Sequence, residues 1–439
     1  MRSRTALVLF YHNIVKNSLN ALAGAVETES SLNNIKIYFP EHKKTLLRVI
    51  GRIIEDHKTT VLGISFCTTE IWQTYRLMRL LRSKYGDKLI CIAGGPHATG
   101  DPRGTLDIGF DIAVVGEGEK TIIELLKKID RGESCGKIKG IAFFDRNGDY
   151  RYTGARSSID LDRYPPFAVK HGKFGPIEIT RGCPFFCSYC QISHMYGARP
   201  RHRSVEKIRE YIQIMLSKGQ RLIEFITPNA LSYGSADGRK PVPGELERLL
   251  KGVRAVIRNK GKLTFGTDLS ELRPEQVTKE AVELLLKYSD NGSVTIGTQS
   301  GSQKMIDICH RGHTKKDVYR AVEMSLAAGL KVDVDFIFGL PGETKADLKA
   351  TLVMMKKLAK RGVRFNVHSF LPLPQTRFEN ERPQKSGREA IETVSELKRR
   401  GLVPCSWKKQ EKMGNMIQFF RQLKDIARVP RNHTFSGAN

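Results

Sequence analysis

Three thiols, Cys183, Cys187 and Cys190, crowd one loop of the 439-residue sequence, within Glu178-Ile-Thr-Arg-Gly-Cys-Pro-Phe-Phe-Cys-Ser-Tyr-Cys190. No fourth thiol lies nearby, since Cys67, Cys91, Cys135, Cys309 and Cys405 are scattered along the chain. Thiolates are soft ligands that suit zinc or an iron–sulfur cluster, and both usually take four of them. Three thiols on a cluster leave one iron open, and an open iron can hold a substrate. The competing completion is His194, which follows Cys190 at x3 and would make a Cys3His zinc site in a nucleic-acid-binding module. Zinc modules of that ligand order space their first thiols more widely and are not usually preceded by a buried strand. The residues ahead of Cys183 read as such a strand, so the iron–sulfur reading is preferred.

A scaffold must hold this loop, and the chain is long enough for two or three domains with sizeable cores. From Phe174 onward, apolar strands alternate with helical patterns. Strands are expected at Pro176–Thr180, Leu222–Thr227, Leu263–Thr267, Ser293–Gly297, Val332–Phe338 and Arg364–Phe370, each followed by a helix-like segment. Six such units make a partial version of the eight-fold β/α barrel, where chemistry gathers at the carboxyl ends of the strands. The thiol loop follows the first strand, as that rule requires.

The spacing C-x3-C-x2-C, with an aromatic just before the last thiol, resembles the signature of the radical SAM superfamily. The resemblance implies a catalytic 4Fe-4S cluster on Cys183, Cys187 and Cys190. Its open iron would chelate the amino and carboxylate groups of S-adenosylmethionine (SAM), which is then cleaved to a 5′-deoxyadenosyl radical. On the same resemblance Tyr189 packs near the adenine. Asn229, in Thr227-Pro-Asn229, stands where the family places a loop for the methionyl amino group, although the usual Gly-Gly-Glu is absent. Gln299 would reach the ribose hydroxyls. The segment Gln299–Thr314 closely resembles the cobalamin-type subgroup and places Arg311 to meet the SAM carboxylate, with a helix cap or surface charge as its plainer role. Phe338-Gly-Leu-Pro-Gly-Glu343 matches the turn that brings backbone against adenine, Gly339 included, though tight-turn requirements alone explain its glycines. Arg199-Pro-Arg-His-Arg-Ser204 and His368-Ser-Phe-Leu-Pro-Leu-Pro-Gln-Thr376 also recur in that subgroup. The arginines either hold cofactor anions or solvate a surface loop; His368 either faces the substrate or is a satisfied barrel histidine. Cys309 as a core thiol and His310 as a helix-surface histidine need no further role.

The first 130 residues show strands at Thr5–Phe10, Asn34–Phe39, Val61–Phe66, Leu89–Ala93 and Ile112–Val115, between helical patterns such as Glu41–His57 and Thr69–Tyr85. This predicts a parallel, doubly wound, Rossmann-like α/β sheet, whose ligands bind beyond the carboxyl ends of the strands. The loops there read Tyr11-His12-Asn13, Ser65-Phe-Cys-Thr-Thr69, Gly94-Gly-Pro-His-Ala-Thr99 and Gly116-Glu-Gly-Glu119, mostly small residues that let a bulky ligand approach backbone. No G-x-G-x-x-G follows the first strand, which counts against a dinucleotide. The set resembles the cobalamin-binding domain found ahead of many radical SAM domains, a generic nucleotide-binding domain being the plainer alternative. It implies cobalamin contacts from Tyr11, His12, Asn13, Ser65, Thr68, Gly94, Gly95, His97, Gly116, Glu117 and Gly118. The D-x-H-x-x-G motif that supplies an axial histidine in mutases and methionine synthase is absent. His12 is therefore a weak ligand candidate, and the lower face of cobalt is left to Tyr11, Asn13 or a water. Cys67 and Cys91 sit in strand-like runs and are expected to fill core. Gly140–Gly154 reads as a hairpin whose Asn147-Gly148 turn fits type I′ geometry.

The expected division is a cobalamin-binding domain over 1–154, a linker over 155–173 containing Pro165-Pro166, a barrel over 174–380 and a basic helical region over 381–439. That last region has helical patterns at Gly387–Arg400 and Gln410–Ala427 and a tail, Arg428–Asn439, expected to be disordered. Apolar residues make up 40% of the chain, as in globular proteins. No apolar run approaches the roughly 18 residues of a membrane span, and the N-terminus does not read as a signal peptide, so a cytoplasmic, reducing location is expected. The formal charge of +27 would attract an acidic protein, RNA or an anionic cofactor without choosing among them. A solvated surface explains most of it.

The resemblance runs from Thr5 to about Phe378 and implies a cobalamin-dependent radical SAM methyltransferase. In that family one SAM methylates Co(I), a second yields the radical, and the substrate radical takes methyl from methylcobalamin. The expected target is an unactivated carbon of a peptide or protein residue, with glutamine of methyl-coenzyme M reductase among the family's targets. An external electron donor is required, nucleic acid is not favoured and no membrane is expected. The alternatives are ring formation or rearrangement of a small molecule with the same cofactors, and a zinc-containing RNA-binding protein.

Overall fold

The computed structural model describes residues 5–404, 407–423 and 429. The chain divides into two compact units, Met1–Gly175 with Phe419–Asn439, and Pro176–Gln418. Cys405, Ala427, the tail apart from Val429, and the side chain of Asn13 lie outside the described residues. Among the described residues no helix is long and apolar enough to cross a membrane.

The first unit is built on parallel strands β1 (Thr5–Leu9), β2 (Lys36–Tyr38), β3 (Thr59–Ser65), β4 (Ile90–Gly94) and β5 (Ile112–Val114). Two antiparallel strands, β6 (Ile141–Phe144) and β7 (Tyr150–Tyr152), extend one edge, giving the order β2-β1-β3-β4-β5-β6-β7. Successive strand residues point to opposite faces. Leu7, Leu9, Val61 and Ile92 share a core with the helices Lys16–Glu27 and Glu119–Arg131, while Ala6, Val8, Leu62, Ile64 and Cys91 share another with Lys43–Asp56 and Ile71–Tyr85. Burial on both faces is why these strands read as unbroken apolar runs. The strand order reverses between β1 and β3, and a reversal of this kind opens a crevice at the carboxyl ends.

Three expectations for this unit are corrected. The segment expected as a linker over 155–173 packs within the unit: Ile159, Leu161, Phe167 and Ala168 are buried, and a Cβ on Gly24 would lie 2.5 Å from the Phe167 carbonyl oxygen. The hairpin turn is not type I′. Gly148 donates to Asp145 O at 2.9 Å and is in the left-handed region at φ 83°, but Asn147 is not, whereas type I′ needs both. The Asp145 carboxylate accepts from the N–H groups of Asn147 and Asp149 at 3.0 Å each, which stabilises the three-residue loop instead. Cys91 is core, as expected, but Cys67 stands past the end of β3, only partly buried, with its N–H donating to Glu70 Oε2 at 3.0 Å.

In the second unit six parallel strands appear in chain order as two triples. The first comprises β8 (Ile177–Glu178), β11 (Leu222–Ile226) and β12 (Lys262–Thr264), and the second β13 (Ser293–Gln299), β14 (Lys331–Phe338) and β15 (Arg364–Ser369). One parallel bridge joins Leu272, in the segment after β12, to Ile296 of β13. The third strand stops earlier than expected because Gly266 takes φ 78° and the Asn291 amide takes up both backbone groups of Phe265. The first strand is also shorter: after Ile179 the chain bends into β9 (Thr180–Arg181), which pairs antiparallel with β10 (Arg201–His202) and closes the thiol loop at its base. Helices Arg388–Arg399 and Lys408–Gln422 follow the last strand, where helical patterns were expected.

Candidate active site and cofactor crevice

The thiol loop is held from several sides. Cys183 donates its N–H to Gly197 O at 3.0 Å, Cys190 to Cys187 O at 2.9 Å, and Ser188 to Cys309 O at 3.0 Å. Ser188 Oγ donates to Ile308 O at 2.8 Å, and Gln191 Nε2 to Pro374 O at 3.0 Å. Gly182 must be glycine, because it takes φ 98° and a Cβ would lie 2.4 Å from Arg199 O. Burial raises the Cys183 thiol above its ordinary value and pushes Cys190 up to about 12, and the neighbouring Cys187 adds to both. Bare thiolates are thus disfavoured here unless a metal holds them deprotonated. The positive groups that oppose this are Arg273 at Cys183 and Arg311 at Cys190; Arg311 is buried to 7% exposure, with Nη1 3.8 Å from Cys187 Sγ and Nε without a partner. Three thiols beside a buried guanidinium fit an anionic iron–sulfur cluster. His194 does not join them: its ring meets Phe186 edge-on at 5.4 Å, and among the described residues no three His, Cys, Asp or Glu side chains converge to hold a single ion.

Next to the thiols the barrel interior is polar in layers. Register pairs Thr295 with Asp333 and Arg364, then Gly297 with Asp335 and Asn366. Arg364 is bidentate on Asp333, and Asn366 Nδ2 donates to Asp335 Oδ1 at 2.9 Å. Gly297 is the meeting point: a Cβ there would lie 2.5 Å from Glu271 Oε2, 2.8 Å from Arg311 Nη2 and 3.1 Å from Gln299 Nε2. Arg311 Nη2 also donates to Gly297 O at 2.5 Å. Gln299 sits at φ 71° beside a register shift in β13, the kind of irregularity that re-aims a side chain. Burial, followed by the nearby Glu271 charge, holds Asp335 well above the usual carboxylate range. A guanidinium for a carboxylate, two carboxyl groups for an ammonium or vicinal hydroxyls, and an amide together fit an amino-acid-bearing nucleoside such as SAM.

Of the expected SAM contacts, Gln299 and Arg311 are brought together, and Arg311 is neither a helix cap nor a surface charge. Tyr189 packs against the core of Met305, Cys309, Leu340 and Phe370, which includes the residue after Gly339, and burial raises its hydroxyl pKa. Asn229 is buried, with Nδ2 donating to Gln276 Oε1 at 2.8 Å and Oδ1 lacking a partner. Gly339 takes φ 74°, and a Cβ would strike Gln384 O at 2.4 Å. His368 Nδ1 meets Gln410 Nε2 at 3.3 Å. Of the three arginines after the loop, Arg203 is not surface: it is buried and donates through Nε to Glu178 O at 3.1 Å. His310 lies past its helix at φ 53° rather than on it.

Glu271, Asp335 and Arg273 were missed in the sequence. Asp335 had a signal, because Val332-Asp-Val-Asp335 puts two carboxylates on one face of an otherwise apolar strand. Glu271 and Arg273 lie in a loop and had none. Arg273 is buried with its guanidinium 3.4 Å from the Phe185 ring centroid, its Nε on Glu275 Oε1 at 2.6 Å and its Nη2 donating to Arg311 O. It thereby ties the thiol loop to the turn that carries Arg311.

Glu343, in the turn after β14, yields a pH prediction. Burial pushes its carboxyl from 4.5 to about 7, against the Gly339 N–H that Oε2 accepts at 3.0 Å. The folded chain thus prefers the protonated form. The associated stability is fully present below about 4.5 and is lost as pH rises through about 7, up to about 3 kcal/mol. Glu343→Gln is expected to flatten the urea-unfolding free energy across that window and to raise it at about pH 8. An unchanged pH slope would count against the assignment.

At the crevice of the first unit the strand ends are laced together. His12 Nδ1 lies 3.2 Å from Glu70 Oε1 and Nε2 3.4 Å from Ser65 O. Ser18 Oγ donates to Ser65 Oγ at 3.2 Å, Thr68 Oγ1 meets His97 Nδ1 at 3.1 Å, and Gly116 donates to Thr99 Oγ1 at 3.1 Å. Gly95 takes φ 87° and a Cβ would lie 2.6 Å from Ser65 Oγ, while Gly94 faces open space. Hydroxyls and bare backbone around an open cradle fit a large polar ligand such as cobalamin. The structure gives other expected contacts internal partners. Tyr11 is buried with its hydroxyl on Asn20 Oδ1 at 2.7 Å, and Glu117 Oε2 accepts the Ile159 N–H at 2.7 Å. Gly118 caps the helix Glu119–Arg131 and packs against Leu22. The Tyr11 hydroxyl is thus already engaged by Asn20, and both His12 nitrogens face partners.

Residues 177–355 match the radical SAM superfamily and residues 9–126 the B12 binding domain. Similar proteins include an uncharacterized methyltransferase of Pyrococcus horikoshii, 26% identical over 347 residues, covering 75% of this chain and 70% of the relative. A tRNA-2-methylthio-N(6)-dimethylallyladenosine synthase of Finegoldia magna is 27% identical over 331 residues, covering 72% of this chain and 67% of that one. Among solved structures, the radical S-adenosylmethionine methyltransferase TsrM from Kitasatospora setae, with cobalamin and a [4Fe-4S] cluster bound, superposes with TM-score 0.66 at 16% identity, covering 86% of this chain and 77% of that one. The cobalamin-dependent S-adenosylmethionine radical enzyme OxsB superposes with TM-score 0.65 at 14% identity, covering 96% of this chain and 62% of that one.

Proposed function

Because this chain belongs to the cobalamin-dependent enzymes of the radical SAM superfamily, we propose that it transfers a methyl group to an unactivated carbon of a peptide or protein residue. The observation that carries the reading is the joint presence of a three-thiol loop beside buried Arg311 and a polar crevice at the strand reversal of the first sheet. When bound, the cluster supplies the electron that cleaves SAM, and cobalamin supplies a methyl carrier that an unreactive carbon needs because it cannot attack a sulfonium itself.

The chain's own residues prepare these steps. Arg311 grips a carboxylate near Cys187, and Glu271, Asp335 and Gln299 accept or donate to an ammonium and ribose hydroxyls. Tyr189 packs against the core of Met305, Cys309, Leu340 and Phe370 and so fixes the thiol loop beside it. Methyl transfer is further supported by the methyltransferase names of the Pyrococcus relative and of TsrM. A protein target such as the glutamine of methyl-coenzyme M reductase is consistent with the strongly basic chain.

The test uses SAM carrying a deuterated methyl group. Mass spectrometry of cellular proteins with and without the gene should show one peptide losing a methyl-for-hydrogen increment. The purified enzyme should restore it as the labelled methyl. Product formed with deoxyadenosine but without label would instead indicate ring formation or rearrangement.

A further inference from the structure

We propose that His313 is a positioning residue for the SAM site: it holds the Glu275 carboxylate on Arg273 and so leaves Arg311 unpaired for the carboxylate of SAM. The inference rests on the reading of Arg311 as the group that grips SAM.

Arg311 is a buried cation with two acids in its neighbourhood, Glu271 and Glu275, whose charges both act on it. Neither pairs with it. Its Nη1 lies by Cys187 Sγ and its Nη2 donates to Gly297 O, while Nε is without a partner. Glu275 is instead taken up by Arg273, whose Nε donates to Oε1 at 2.6 Å. Its second oxygen, Oε2, is buried and has no hydrogen-bond partner. A carboxylate with one free oxygen near two guanidiniums is drawn to both, and moving to Arg311 would fill the place that an incoming carboxylate needs.

Beside that oxygen stands His313. Its Nδ1 lies 3.9 Å from Glu275 Oε2, its ring is buried at 2% exposure, and neither ring nitrogen makes a hydrogen bond. That separation is too long for a hydrogen bond and short enough for a side-chain rotation to close. Burial, and then the charges of Arg311 and Arg273, push the imidazole down to about 3, so the ring is neutral. It then carries one N–H for the two acceptors beside it, Glu275 Oε2 and the Thr298 carbonyl, and the carboxylate is the stronger acceptor. Burying an imidazole whose nitrogens bond to nothing carries a cost that a leucine in its place would avoid. A neutral donor, unlike lysine or arginine, adds no third positive charge next to Arg273 and Arg311. The turn that carries both residues is anchored at each end, since Arg273 Nη2 donates to Arg311 O and Gln303 Nε2 to His313 O at 3.2 Å.

The test is equilibrium dialysis of SAM, and of decarboxylated SAM, which lacks only the carboxylate. The proteins are iron-replete parent, H313L, H313Q and H313L/E275Q, each with its melting temperature measured. H313L is expected to bind SAM about tenfold more weakly and decarboxylated SAM as tightly as the parent does. H313L/E275Q should recover SAM binding to within about threefold of the parent, because glutamine still accepts from Arg273 but lacks the charge that competes for Arg311. H313Q keeps a donor beside Glu275 and should bind SAM near the parental affinity, which keeps the proposal testable where H313L does not fold. Equal loss of both ligands by H313L, a double variant as weak as H313L, or a loss of about tenfold in folded H313Q overturns the proposal. Parent protein that binds the two ligands equally overturns the reading of Arg311, and this proposal with it.

Discussion

Cys187→Ala, purified without oxygen and reconstituted with iron and sulfide, is expected to release no 5′-deoxyadenosine above background. Cys187 is 6% exposed and its sulfur lies 3.8 Å from the Arg311 guanidinium. Removing it leaves two thiols for the iron and a buried positive charge with less to oppose it. Loss of a partner merely outside the ligand shell typically costs 10–100-fold in metal affinity or activity, so loss of a ligand should exceed about a hundredfold. The same protein should show iron and sulfide far below the parent and lose the broad cluster absorption. Two controls separate this site from other metal chemistry. Cys309→Ala removes a buried thiol that packs with Met305, Leu340 and Phe370, and should keep the cluster. His194→Ala removes the fourth ligand of the zinc alternative, and should also keep it, since that ring rests on Phe186. Parental SAM cleavage by Cys187→Ala, or stoichiometric zinc lost on His194→Ala, would reverse the assignment.

How much of this could be read in advance depends on how local each feature is. The thiol loop was legible because its ligands are consecutive in the chain, and the sheet of the first unit because burial on both faces leaves apolar runs at Thr5–Leu9 and Thr59–Ser65. The crevice loops followed from strand ends, although which side chains face it did not. Tyr11 and Glu117 were expected as contacts on the resemblance, and the hydrogen bonds they make within the unit, to Asn20 and Ile159, are set by packing that no spacing reveals. Glu271 escaped for the opposite reason: it is far in sequence from Arg311 and Gln299 and meets them only over the bare Cα of Gly297. Turn chemistry misled once, at Asn147-Gly148, where the Asp145 side chain outcompeted the more familiar dipeptide preference.

Arg311→Met is expected to weaken SAM binding by about 30- to 5,000-fold, the range that 2–5 kcal/mol gives when one partner of a buried, hydrogen-bonded charge pair is truncated. The guanidinium is buried, and although burial alone would lower its pKa, Tyr189, Cys187, Glu271 and Glu275 together raise it above its ordinary value. It is thus a fixed cation whose Nε still lacks a partner, poised for an incoming carboxylate. Arg311→Lys keeps the charge but not the planar fork, so it should retain part of the affinity, about tenfold below the parent. Because Arg311 Nη2 also holds Gly297 O, the methionine variant should melt earlier as well, and melting temperature alone would not identify the role. Equilibrium dialysis of labelled SAM against folded, iron-replete protein does, together with the change that SAM makes in the electron paramagnetic resonance of the reduced cluster. Loss of both, with iron content intact, places the guanidinium on the cofactor. A variant that melts early yet binds SAM with parental affinity assigns Arg311 to the support of β13 and leaves the carboxylate to be gripped elsewhere.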